Sequence, residues 1–212
     1  HILIDGSNSI IIDEQFWNAA KAIETVRLSD NTEIDLLTQQ FETHGTSGND
    51  SIYGIEVGGS ENDIIYGFGG NDVIYGYDGQ DTLYGDDGAD DLRGYDGDDI
   101  LIGGVGADVL KGHAGADTFL FDDTTFTGKD TIIDFDLSEE DVLDFSHLVS
   151  GYDPLTDLIE DFISLSEASG DTTFAIDQDG TGTTYGFQDV VTVNDVTGMV
   201  LDDLINDGTV IV

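Results

Sequence analysis

The sequence predicts an all-β fold: a solenoid of short strands wound into two facing parallel sheets, with an amino-terminal cap before it and a β-rich carboxyl-terminal domain with short helices after it. Three observations predict it. A nine-residue unit recurs eight times between Gly45 and Leu120, its sixth position is always Asp, and its eighth is always a large apolar residue. With 36 Asp in 212 residues, eight hits in eight copies would arise by chance at roughly one in a million before choice of register.

The copies read GTSGNDSIY, then an inserted GIEV, then GGSENDIIY, GFGGNDVIY, GYDGQDTLY, GDDGADDLR, GYDGDDILI, GGVGADVLK and GHAGADTFL. Their sixth positions are Asp50, Asp63, Asp72, Asp81, Asp90, Asp99, Asp108 and Asp117. Glycines at the first and fourth positions permit backbone angles closed to other residues, so six residues can turn tightly with their carbonyls converging. The last three extend as a strand, whose alternation turns the eighth residue inward and neighbours such as Thr82 and Tyr84 outward. Each copy is half a coil. Successive copies therefore alternate between the sheets, with Ile65, Leu83, Leu101 and Phe119 lining one and Ile74, Leu92 and Leu110 the other.

That core is thin. At roughly 25 cal/mol per Å², one aliphatic side chain per nine residues does not offset the entropy of ordering them. Charge opposes folding further, since 46 acidic residues face 5 basic ones for a net charge of -41. Two carboxylates about 4 Å apart repel by roughly 4 kcal/mol at an effective dielectric near 20, beside a whole-domain stability of about 5 to 15 kcal/mol. Counter-cations are thus expected within the fold. Carboxylates and turn carbonyls, with no Cys and no repeating His, select calcium, about five to six ions of it. Stacked turns lie about 4.8 Å apart, so an ion can sit between an Asp and its counterpart two copies on. The pairs are Asp63 with Asp81, Asp72 with Asp90, Asp81 with Asp99, Asp90 with Asp108, and Asp99 with Asp117. Asp50 with Asp72 is a sixth pair, expected to be weaker because the inserted GIEV shifts the register.

These residues resemble the RTX, or haemolysin-type calcium-binding, family over Gly45 to Leu120. The resemblance implies a parallel β-roll. It also implies a ligand scheme in which the lower turn gives its second and fourth carbonyls, the upper turn its first and third, and each its Asp. The second and fourth positions concerned are Gly59, Phe68, Gly70, Tyr77, Gly79, Asp86, Gly88, Tyr95 and Gly97. The first and third are Gly76, Asp78, Gly85, Asp87, Gly94, Asp96, Gly103, Val105, Gly112 and Ala114. Departures are Glu61, which replaces a fourth-position Gly, and Ser47 and Gly69, which stand where Asp78, Asp87 and Asp96 stand later.

Residues 1–44 read as the cap that a solenoid end needs to cover its strand edges. Within it, Asp13 to Ala22 has weak helical character around Phe16 and Trp17, and residues 25–28 and 33–36 read as a hairpin. Residues 121–212 form the carboxyl-terminal domain. Residues 131–136 continue as strand, Pro154 can start a short helix through Leu158 and Phe162, and a hairpin turns at 179–182. Asp134 and Asp141 resemble the place where RTX families bind a further calcium after the last repeat. The block from Gly128 resembles the target domain at the end of large bacterial RTX adhesins, and residues 199–212 the uncleaved signal of type I secretion. A final strand closing a core is the alternative reading of that terminus.

Several function classes are excluded or disfavoured. A surface this acidic repels nucleic acid and anionic lipid. No apolar run of about 18 residues suits a membrane span, and no amino-terminal signal peptide is visible. Catalysis is not expected: HExxH, GxSxG and P-loop motifs are missing, and His1, His44, His113 and His147 lack metal-ligand spacing. The expected role is a calcium-dependent folding and secretion module of a secreted or cell-surface adhesin, monomeric, with the secretion machinery and an upstream chain as partners. Two alternatives stay open: the same module on a secreted protease or lipase, or a ligand-binding module using a column of Tyr53, Tyr66, Tyr75 and Tyr84, which otherwise covers the sheet face by stacking.

Overall fold

The structure is a computed structural model and describes residues 2–4, 10–12, 25–27, 33–35, 41–54, 62–149, 151–153, 155–180 and 186–212. Two compact units form, residues 1–39 and 40–212. In the first, β1 (Ile2–Ile4) pairs antiparallel with β2 (Ile10–Ile12), and β3 (Thr25–Arg27) with β4 (Glu33–Asp35). The second pair is the expected hairpin, with Thr25 opposite Asp35. The expected helix at Asp13 to Ala22, with Trp17, lies outside the described residues.

The second unit runs through β5 (Phe41–His44), β6 (Ser51–Tyr53), β7 (Asp63–Tyr66), β8 (Val73–Asp78), β9 (Thr82–Tyr84), β10 (Asp91–Asp96), β11 (Ile100–Ile102), β12 (Val109–Ala114), β13 (Thr118–Leu120), β14 (Asp130–Ile132), β15 (Val142–Asp144), β16 (Ile163–Ala168), β17 (Asp171–Ile176), β18 (Gln188–Val193) and β19 (Val210–Ile211). One parallel sheet is ordered β5-β7-β9-β11-β13-β15-β19; the other is ordered β6-β8-β10-β12-β14-β18-β17-β16, parallel until its last two strands. This is a parallel β-roll. Phe41–His44 falls within the expected cap, yet it pairs in register with the roll, Thr43 opposite Ile65.

The eighth-position residues align across each sheet as expected. Ile65, Leu83, Leu101 and Phe119 form one row, which Leu143 and Val210 continue; Ile52, Ile74, Leu92 and Leu110 form the other, which Ile132 and Val193 continue. Nearly all are fully shielded from solvent. Beyond the last repeat the core thickens, because Phe121, Phe145 and Phe174 pack ring against ring at 5.0 and 5.7 Å. Aromatic side chains bury far more area than the single aliphatic residue of a repeat, so packing contributes more at this end than within the repeats.

Residues 155–212 add a short 3-10 helix, a helix and further strands to the roll. A short 3-10 helix spans Ile159–Asp161 where the Pro154 helix was expected, Pro154 itself lying outside the described residues. Helix α1 (Leu201–Asp207) places Asp202 and Asp203 in its first turn, where the dipole favours anions, and buries Leu204. Gly208 ends it at φ 89°, and the chain turns into β19, which adds a parallel strand beside β15. Among the described residues no helix is long and apolar enough to cross a membrane.

The expected tyrosine column is in fact two stacks, one on each sheet, because consecutive copies alternate between sheets. Tyr66 and Tyr84 stack at 4.7 Å on one, flanked by Phe68 and His44; Tyr53, Tyr75, Tyr77, Tyr95 and His113 form the other. Arg93 lies 5.3 Å over Tyr75 and pairs with Asp91. Ring faces inside each stack are covered by one another, so the arrangement shields the sheet and leaves mainly ring edges to solvent.

Candidate metal centre

The site is built by the repeat itself. In the third to eighth copies the left-handed backbone falls at the second and fourth positions, not at the first. Phe68, Tyr77, Asp86, Tyr95 and His113 take φ of 66 to 82° at the second position, although a bulky residue there is strained. The fourth-position glycines, Gly79 and Gly97 among them, have φ above 100°. First-position glycines serve a different purpose, and the expectation that they too supply unusual angles is corrected here. A Cβ on Gly67 would stand 2.6 Å from Asp72 Oδ2, and one on Gly85 would stand 2.5 Å from Asp90 Oδ2. At Gly76, Gly94, Gly103 and Gly112 the carboxylate of the same copy comes closer still. The missing side chain is thus the space into which the Asp folds.

Seven of the eight sixth-position Asp are buried: Asp63, Asp72, Asp81, Asp90, Asp99, Asp108 and Asp117 are 0 to 2% exposed. Their Oδ1 atoms form a ladder between coils. Asp90 accepts the backbone N–H of Asp72 at 2.7 Å, Asp99 that of Asp81 at 2.8 Å, Asp108 that of Asp90 at 2.8 Å and Asp117 that of Asp99 at 2.9 Å. Asp72 likewise accepts from Asp50 at 2.8 Å, so the GIEV insertion leaves this rung in place. Asp50 itself differs, since its Oδ2 is held by Thr46 of its own loop and it is only half-buried.

The other oxygens are the informative ones. Oδ2 of Asp72, Asp81, Asp90, Asp99, Asp108 and Asp117 is buried without a hydrogen-bond partner. A buried polar atom is paired as a rule, and an unpaired charge is far more costly. Burial accordingly pushes the carboxyls upward, Asp81 to about 6, Asp90 and Asp117 to about 7 and Asp99 to about 8, with repulsion from neighbouring Asp residues adding to it. A row of desolvated oxygens with spare lone pairs suits a hard cation. Among the described residues no three His, Asp or Glu side chains cluster as a ligand set. Two carboxylates per gap must therefore be joined by carbonyls, which calcium accepts readily.

The loop backbones stack to bring those carbonyls together. Asp87 pairs in parallel with Gly69 below and Val105 above. Fourth-position N–H groups of Gly70, Gly79, Gly88 and Gly97 donate to the third-position carbonyls of Asp87, Asp96, Val105 and Ala114 two copies on, all within 2.9 Å. Those carbonyls keep a second lone pair. Asp78, Asp87 and Asp96 have their side chains in solvent, leaving only their backbone for the site. Gly59, the remaining expected carbonyl, lies outside the described residues.

Asp134 and Asp141 both reach the eighth copy. Asp134 accepts the N–H groups of Gly112 and His113 at 3.1 and 2.9 Å, while Asp141 accepts that of Asp117 at 3.0 Å and that of Asp136 at 2.8 Å. Two features escaped the sequence reading. Fifth-position side chains form a second ladder, Asn49 accepting from Asn71 N–H, Asn62 from Gln80 and Asn71 from Ala89. Asp130 occupies the rung above Asp108, accepting its N–H at 2.9 Å. The signal for Asp130 was present in Gly128, Asp130 and Ile132, which keep the fourth, sixth and eighth places of a unit that has lost the rest.

Fold and site together define a calcium-binding β-roll. Residues 44–54, 57–83 and 84–119 match the family model of the RTX calcium-binding nonapeptide repeat, and this part of the chain is such a repeat array. Among solved structures the chain is similar to the AlgE6R3 subunit of the Azotobacter vinelandii mannuronan C5-epimerase, at 28% identity and TM-score 0.41, covering 71% of this chain and 72% of that one. It is similar also to the AlgE6R2 subunit of the same epimerase, at 26% identity and TM-score 0.43, covering 74% and 85%. No curated protein sequence matches it.

Proposed function

We propose that this chain is a calcium-triggered folding module of a secreted or cell-surface bacterial adhesin, and that its carboxyl-terminal segment carries the address read by type I secretion machinery. RTX nonapeptide repeats bind calcium and are typical of extracellular secreted proteins. The observation that carries the reading is the row of buried, unpartnered Oδ2 atoms. Calcium bound in the gaps supplies the positive charge that balances two carboxylates and links consecutive coils. Asp72, Asp81, Asp90, Asp99, Asp108 and Asp117 would hold it with the loop carbonyls, the first-position glycines leaving their carboxylates room to turn. Where calcium is scarce, as in cytosol, sites of the roughly 10⁻⁴ to 10⁻³ M kind stay empty and the chain remains unfolded for export; outside, they fill and it folds.

The test has two parts. Circular dichroism of the chelated chain should lose β signal and regain it with calcium but not with equal magnesium; an unchanged spectrum after exhaustive chelation would refute the folding role. Deleting residues 199–212 from a reporter fusion should abolish export through a type I system, and export at the undiminished rate would refute the address.

A further inference from the structure

The segment between the matched repeats and β15 hides another half-coil of the roll. Thr125 to Ile133 reads TFTGKDTII, which keeps only the fourth, sixth and eighth residues of the unit. Its backbone follows the unit at the second position and along the strand, although Gly128, unlike the fourth-position glycines of the repeats, is not left-handed. Phe126, at the second position, takes φ 51°, as second-position residues do in the repeats. A Cβ on Gly128 would run into the carbonyl of Gly106, just as one on Gly106 would run into that of Gly88. Thr131 N–H donates to Asp108 O at 2.8 Å, matching Val109 to Asp90, and Ile132 lies opposite Leu110.

The rung this half-coil creates has the features of the gaps below it. Asp130 is 7% exposed and Asp108 1%, their side chains lie within hydrogen-bonding reach of each other, and Asp108 Oδ2 has no partner that can donate. Asp123, whose carboxylate is held by the N–H groups of Thr125 and Thr127, shapes the loop above. A cavity of about 20 Å³ adjoins Asp130, though Asp108 does not line it, and is bordered by Asp122, Asp123 and Gly128 together with the apolar Phe121, Phe126 and Leu148. That is room for one small occupant. Lys129, the nearest basic residue in sequence, points instead to Asp189 at 3.8 Å.

We propose that Asp108 and Asp130 hold one further calcium ion, outside the recognisable repeats, which fastens the repeat strands to the carboxyl-terminal strands of the same sheet. Asp130 opens β14, and β14 pairs directly with β18, Asp130 opposite Val191. Filling this gap therefore stabilises the strand against which β16 to β18 dock, and makes that docking calcium-dependent although those strands carry no repeat. The inference rests on the calcium reading of the repeats, and the experiment separates the two.

Calcium bound per full-length chain is counted by equilibrium dialysis for wild type, Asp130→Asn and Asp99→Asn. The Asn side chain at 130 can still accept the Asp108 N–H while removing the charge. One ion fewer in Asp130→Asn, with calcium-induced β signal from the repeats retained, supports the site. An unchanged count and affinity in Asp130→Asn, beside a loss in Asp99→Asn, overturns it and leaves the repeat reading standing. Wild type that takes up no calcium overturns both. Should Asp130→Asn fail to fold, terbium-soaked crystals of wild type decide: an anomalous peak between Asp108 and Asp130 supports the site, and peaks in the repeat gaps with none there overturn it.

Discussion

Asp90→Asn should change the stability of this protein in opposite directions with and without calcium. Asp90 belongs to two gaps at once, accepting the Asp72 N–H through Oδ1 while its own N–H donates to Asp108. Asn keeps the acceptor and the shape and removes only the charge, which is repelled by Asp108 and Asp72 in the calcium-free chain. Without calcium the substitution is therefore neutral or stabilising. With calcium at about 100 times its dissociation constant, each ion contributes about 2.7 kcal/mol, so weakening two gaps removes up to about 5 kcal/mol. At about 2 to 4 °C per kcal/mol for a chain of this size, the midpoint falls by roughly 10 to 20 °C. Thermal melts followed by circular dichroism in excess calcium and in excess chelator measure both arms. A fall of the same size in chelator would refute the reasoning, because it would show that Asp90 acts through packing and hydrogen bonding alone.

Two further outcomes are expected. The ladder carboxyls are raised from about 3.8 to between about 6 and about 8 by burial, so the folded calcium-free chain binds protons more tightly than the unfolded one. Their contribution to stability is complete below the unfolded value and disappears as pH rises through 6 to 8. The calcium-free chain should accordingly melt lower at pH 8 than at pH 5, and saturating calcium should flatten that slope; a calcium-free midpoint that rises with pH would contradict the assignment. Gly94→Ala places a methyl where Asp99 Oδ2 lies, at a position without left-handed backbone. It should cost about 1 to 3 kcal/mol and shift the calcium midpoint of folding upward, the direction also expected of Asp99→Ala. Equal midpoints for Gly94→Ala and wild type, read by calcium titration, would show that the space above Gly94 is not needed.

Much of this molecule is written in short range. Nine residues with Asp sixth and an apolar residue eighth define one rung, and each rung meets only its neighbours, so the two core rows and the Asp pairs follow from counting along the chain. What counting could not reveal is what the neighbours impose. The four residues inserted after Tyr53 leave the Asp50 to Asp72 rung in place. Thr125 to Ile133, with little of the unit left, is still drawn into register because β12 offers it a ready strand edge.

The sequence by itself thus determined the coil, which residues face inward, and the kind of ion the carboxylates want. Only the tertiary structure decided why the first-position glycine is required, since that depends on an Asp five residues later folding back over it. Only it could show that β14, β15, β18 and β19 prolong the same two sheets past the last recognisable repeat. The physical reason is the same in both cases. Hydrogen-bonding edges and excluded volume act between residues that are remote along the chain or unlike the repeat, and no local pattern records them.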